Sequence, residues 1–168
     1  MTNCAVIGAP KLSEKGAVPA LELDDGAVLT EVGALLQYVA DLNPGAGLAP
    51  PHGTMDRYRL VEWINFIATE IHAAFVPLWK SDLTAEAKEA TRQQLLRKFG
   101  YVAKRLASTP YLMGETFTAA DAYLYTVLVW TKFVKLDLAS LPALTDYMKR
   151  IAARQSAQKV RAVESAPA

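Results

Sequence analysis

Three sets of residues have types and spacings that could do chemistry. Asn65, Thr69 and His72 follow one another at intervals of four and three. Seven residues make nearly two turns of an α-helix, so a helix here would place all three on one stripe. An amide, a hydroxyl and an imidazole beside Ile64, Ile67 and Ile71 would suit a cleft wall that hydrogen-bonds a ligand. The other reading is a solvent-facing stripe, or a partly buried histidine satisfied by its neighbours. The second set is Val18-Pro19 with Thr30-Glu31. Proline keeps Val18 extended, and a cis peptide there would expose backbone groups to a ligand. A helix starting beyond Thr30 offers N–H groups to a carboxylate, and Glu31 can accept from an ammonium. Together they would suit an amino-acid headgroup; the plainer reading is the start of a strand and a first-turn glutamate. The third is Cys4, the single cysteine, which has no cation or helix start nearby in sequence to lower its pKa. His52 and His72, the two histidines, have no Cys or carboxylate at a ligand spacing, so no metal site is expected.

The elements that must position these residues are legible in outline. Val18-Pro-Ala-Leu-Glu-Leu23 and Ala27-Val-Leu-Thr30 flank Asp24-Asp25-Gly26, a strong hairpin signal. Thr30 is placed to cap a helix over 31–42, with Val32, Leu35, Leu36 and Val39 at helical spacing and Asn43-Pro44-Gly45 ending it. Residues 43–53 hold three prolines and three glycines and read as a linker at a domain boundary. Thr54 opens a long helix towards Trp79, with Pro77 disturbing its last turn. Thr84 opens a second, from Ala85 to about Ala107, whose apolar stripe includes Leu95, Leu96, Phe99, Val102 and Leu106. After a turn at Pro110, Phe117 to Trp130 forms the segment on which the rest is organised. There the Thr118 hydroxyl accepts from a first-turn N–H while Asp121 reaches back, and no charge interrupts Ala122 to Thr131. A helix apolar on all faces is a buried one, with Asp121 structural. A helix follows Leu141-Pro142, with Leu144, Tyr147, Met148 and Ile151 on one side, and then a weakly patterned final segment. Cys4-Ala-Val-Ile7 could form a short strand, but Gly8, Pro10, Ser13 and Gly16 break its surroundings.

Composition narrows the partners. The chain of 168 residues has 18 basic and 17 acidic side chains, net +1, spread along its length. That is no electrostatic footprint for nucleic acid or an anionic membrane. No run approaches about 20 uninterrupted apolar residues, and the first ten residues lack the basic flank of a signal peptide. One cysteine excludes an internal disulfide. The expectation is a soluble, cytoplasmic, mainly α protein.

Several motifs in order carry a resemblance. Lys15-Gly-Ala-Val-Pro-Ala-Leu, Asp24-Asp-Gly-Ala-Val-Leu-Thr-Glu31, Leu36-Gln-Tyr-Val-Ala-Asp41, Glu62-Trp-Ile-Asn-Phe-Ile-Ala-Thr-Glu-Ile-His72 and Phe117-Thr-Ala-Ala-Asp-Ala-Tyr-Leu-Tyr125 resemble a bacterial glutathione transferase of the beta class. The match spans about residues 15–155.

The resemblance implies a C-terminal all-α domain, 54–160, preceded by part of a thioredoxin-like, glutathione-binding domain within 1–44, with 161–168 a tail. It implies that Val18, before a cis Pro19, binds the cysteinyl backbone of glutathione, and that Glu31 with the N–H of Val32 binds its γ-glutamyl group. It sets Asn65 and His72 near the sulfur and Trp130 in the same site. Its co-substrates are glutathione and a hydrophobic electrophile, and its assembly a homodimer through the long helices and the thioredoxin-like domain. The family pattern also has a strand, a helix and a strand ahead of Lys15, with a catalytic Cys, Ser or Tyr after the first. Residues 1–15 do not match it, and Cys4 is too close to Pro19 to be the beta-class cysteine. A chain lacking that unit would leave the hairpin an open edge, with Ala5-Val6-Ile7 as a partial cover. Two functions follow as expectations: conjugation of glutathione with that segment supplied, or a non-catalytic remnant serving ligand binding or dimerisation.

Overall fold

The structure is a computed structural model that describes residue 16 and residues 18–164; the expectations for Cys4 and for Ala5-Val6-Ile7 lie outside those residues. A two-stranded antiparallel hairpin, β1 (Ala20–Glu22) and β2 (Val28–Thr30), pairs Leu21 with Leu29. The strands are shorter than their apolar pattern because the turn takes five residues. Leu23 N–H donates to the Ala27 carbonyl (2.8 Å), Gly26 N–H to that of Leu23 (2.9 Å), and Ala27 N–H to Asp25 Oδ1 (2.9 Å). Gly26 sits at φ +84°, in the left-handed region where glycine has no penalty.

Helix α1 (Val32–Asp41) follows at once and packs against β2 and the helical unit, burying Leu35 and Ala40. The expected linker is not a free tether. It forms a 3₁₀ turn over Pro44–Ala46, and the Leu48 carbonyl accepts the N–H of Ala119 at 2.9 Å. Arg57, only 4% exposed, makes the stronger tie. Its Nη1 and Nη2 donate to the two oxygens of Asp41 (2.8 Å each), while Pro50 O and Gln37 Oε1 accept at 3.3 Å. A bidentate guanidinium thus joins α1, the connection and the next helix.

That helix is a rod in three parts: α2 (Met55–Phe66), a π-helical segment (Ile67–His72) and α3 (Ala73–Trp79). Thr54 caps it, accepting from Arg57 N–H at 3.2 Å and donating to Pro51 O at 2.7 Å. Thr84 likewise caps α4 (Ala85–Leu106), which lays Leu95, Phe99, Val102 and Leu106 onto the core. At the centre is α5 (Ala119–Val129), with Ala120, Leu124, Val127 and Leu128 fully buried. Helix α6 (Pro142–Ala152) closes the core with Leu144, Tyr147 and Ile151. The final segment, partly expected as tail, is a helix, α7 (Gln155–Glu164), that buries nothing. Arg161 reaches from it to the Tyr125 hydroxyl.

The buried Asp121 forms the expected reciprocal cap and adds to it. Its carboxylate takes the N–H of Thr118 (2.8 Å), and the Thr118 hydroxyl, which accepts from the first turn, also donates to it (2.9 Å). The N–H of Leu112 (2.9 Å) and the Tyr147 hydroxyl (3.1 Å) donate as well. A carboxylate with no solvent needs every donor it can recruit, and a rotatable hydroxyl turns to it. Burial pushes the Asp121 carboxyl above the usual range, and the hydrogen bonds pull it back in part.

Candidate functional site

The hairpin end and the rod enclose a cavity of about 320 Å³. One wall is Val18, Pro19, Thr30, Glu31, Val32 and Gly33; the other is Ala68, His72, Ala73 and Val76 of the rod with Tyr123 of α5. The Val18–Pro19 peptide is cis, and Val18 is 74% exposed. Thr30 does not cap α1: the N-cap position belongs to Glu31, at φ +72°, and no side chain caps the helix. The chain turns through this left-handed conformation so that β2 can run straight into α1, a departure for a non-glycine residue of the kind that collects at ligand sites. The α1 N-terminus, with its positive dipole end, therefore opens at the cavity. Gly33 lets it approach the rod; a Cβ there would lie 3.3 Å from Ile64 Cγ2.

On the facing wall, His72 is half-buried. Its Nδ1 lies 2.7 Å from the Tyr123 hydroxyl oxygen, and burial holds the imidazole pKa below its ordinary value. Burial also pushes the Tyr123 phenol up to about 12, so it keeps its proton. Trp130, in the 3₁₀ turn that follows α5, meets the imidazole edge to face with centroids 4.7 Å apart, and touches Phe75 and Trp79 at 5.6 and 6.5 Å. It backs His72 rather than lining the cavity.

Of the residues singled out in the sequence, Val18, Pro19, Glu31, Val32 and His72 come together here, and Trp130 joins through His72. Asn65 and Thr69 do not. Both are exposed, and the Thr69 hydroxyl donates to the Asn65 carbonyl at 3.0 Å. The single stripe is broken by the π-helical segment: its i→i+5 bonding widens the turn, so each residue advances less and His72 swings away from Asn65. Tyr123 was not anticipated. Its signal was a phenol on an otherwise apolar buried helix, where the hydroxyl must find a partner. Among the described residues no cluster of three or more His, Cys, Asp or Glu side chains gathers, and no helix is long and apolar enough to cross a membrane.

The site is thus a cavity between extended backbone, a helix N-terminus and an all-helical unit. The chain belongs to the glutathione S-transferase family: the family model "Glutathione S-transferase, C-terminal domain" matches residues 66–155. It is 44% identical over 153 residues to glutathione S-transferase GstA of Escherichia coli O157:H7, a match covering 91% of this chain and 76% of that protein. Its fold superposes on a sphingomonad glutathione S-transferase complexed with glutathione, with TM-score 0.87, 41% identity and coverage of 93% and 78%. The bacterial beta class enzyme of Sphingomonas chungbukensis gives TM-score 0.87, 39% identity and coverage of 92% and 77%.

Proposed function

We propose that the chain binds glutathione in this cavity and takes part in its conjugation to an apolar electrophile. The observation that carries the reading is the meeting of Val18-Pro19, Glu31-Val32 and His72 around one space. The cysteinyl backbone of the tripeptide pairs with Val18, and the γ-glutamyl carboxylate sits at the open N-terminus of α1, where free N–H groups and the helix dipole favour an anion. The Glu31 carboxylate takes the ammonium. An N–H of His72 stabilises the thiolate, and the apolar side chains around Trp130 take the electrophile. The thiolate carbon–sulfur bond then forms as the leaving group departs. Residues 1–44 form the glutathione-binding part and 54–160 the helical part. The activating residue of a beta-class enzyme is assigned to a strand-helix-strand unit ahead of Lys15, so conjugation is proposed with such a unit supplied. A homodimer in the cytoplasm is the setting the family supports.

Calorimetric titration with glutathione, beside turnover of a chloronitrobenzene, tests the reading. Saturable binding that His72→Ala and Glu31→Ala each weaken supports it. Absence of binding to the folded chain refutes it.

A further inference from the structure

We propose that Tyr123 is a positioning residue: its hydroxyl donates to His72 Nδ1 and holds the imidazole as the Nε2–H form, presenting a single defined N–H donor to a ligand in the cavity.

Three observations carry this. The first is the 2.7 Å separation of Nδ1 and the phenolic oxygen, a short hydrogen bond between the half-buried imidazole and a buried tyrosine. The second is its direction. Among the described residues the Tyr123 hydroxyl has this one partner. Were Nδ1–H the donor, the phenol proton of this buried side chain would need another acceptor, and no described residue supplies one. With the phenol donating, both groups are satisfied, and a neutral imidazole must carry its proton on Nε2. The third is restraint of the ring from a second side: Trp130 packs edge to face on it at 4.7 Å and 80°. The hydrogen bond and the indole together define the plane and the tautomer of a side chain that also lines the cavity.

The groups that face His72 are consistent with a neutral ring. Tyr123 on α5 is uncharged and Trp130 carries no charge, while the acidic side chain on the cavity's opposite wall is Glu31. On the rod itself, Glu70 is paired with Lys98 of α4.

The consequence for binding rests on the glutathione reading. A thiolate meets a donor at Nε2 only if the tautomer is correct. Without Tyr123 the imidazole divides between two tautomers and two ring orientations, and glutathione affinity falls by about five-fold, the effect of one lost hydrogen bond.

Long-range proton–nitrogen NMR of the ligand-free protein at pH above 7 decides the tautomer without any ligand. The wild type should show His72 as the Nε2–H form, and Tyr123→Phe should shift it towards a mixture at unchanged fold. A wild-type Nδ1–H signal, or a spectrum unaltered in Tyr123→Phe, overturns the proposal. A double-mutant cycle with glutathione as titrant tests the consequence. Tyr123→Phe should weaken binding in the wild type and have no further effect in His72→Ala, because it acts through the ring. An equal loss in both backgrounds overturns the positioning role. A wild type that shows the Nε2–H form but binds no glutathione defeats the glutathione reading and leaves the tautomer assignment supported.

Discussion

The Tyr123 hydroxyl oxygen lies 2.7 Å from His72 Nδ1, so the central helix α5 grips the π-helical segment of the rod at the point where the rod faces the cavity. One hydrogen bond thus couples the folding core to the site, and the stability of His72 has a definite pH signature.

Burial holds the folded His72 pKa below its ordinary value of about 6.5. Between the folded and ordinary values the unfolded chain binds more protons than the folded one, so stability falls as pH drops through that window and is fully present above it. Urea unfolding at pH 7.5 and pH 5 should show a smaller loss of stability in His72→Gln than in the wild type. An identical pH dependence in the two proteins would contradict the buried neutral imidazole.

Arg57 should be the residue whose loss most loosens the hairpin and α1 from the helical unit. Asp41 is 34% exposed and so partly screened, which limits the expected cost of Arg57→Ala to about 2 kcal/mol. The Arg57 hydrogen bonds hold the Asp41 carboxyl below the usual range, and therefore this contribution persists above the ordinary carboxylate pKa and is lost as pH falls through the folded one. Amide exchange should quicken at Leu35 while core amides such as Leu124 keep their protection; a uniform change along the chain would count against a local tie.

Removing the Asp121 carboxylate leaves the Leu112 and Thr118 N–H groups and the Thr118 hydroxyl without that acceptor in a site that is 0% exposed, while the Tyr147 hydroxyl keeps the Asp121 main-chain carbonyl at 3.1 Å. Asp121→Ala is therefore expected to cost on the order of 3 kcal/mol, and Tyr147→Phe about 1 kcal/mol. Glutathione binding by whatever fraction stays folded should be unchanged. Thermal unfolding checks the first expectation, and equal midpoints for Asp121→Ala and parent would refute it.

A lone hairpin is marginal in water, and here its support comes through α1. The Leu23 N–H, bonded to the Ala27 carbonyl, should exchange more slowly than in a peptide of residues 18–31 and should lose that protection in Arg57→Ala. Protection no better than in the peptide would show the hairpin to be undocked.

The hairpin, the capped rod, α4 and α6 were legible because local signals agree with the final packing: Asp25-Gly26 in the turn, Thr54 and Thr84 at helix starts, and apolar residues at 3.6-residue spacing. The all-round apolar pattern of α5 likewise marked it as central, and Asp121 as its buried anchor. The N-cap of α1 was misread because Thr30 has the better capping side chain, whereas the strand-to-helix geometry puts Glu31 at that position with φ +72°.

Residue types and spacing marked Val18-Pro19, Glu31 and His72 as candidates beside plainer readings, because backbone conformation around a proline and a helix start is a local property, and the family resemblance set them in one site. How the two walls of the cavity meet was a tertiary matter. The π-helical widening that parts His72 from Asn65, the bidentate Arg57–Asp41 pair that docks α1, and the hydrogen bond from Tyr123 to His72 all join residues whose angular or sequence separation no local period specifies. They exist because packing α5 and the rod around one core leaves those polar atoms buried together, and buried polar atoms must pair.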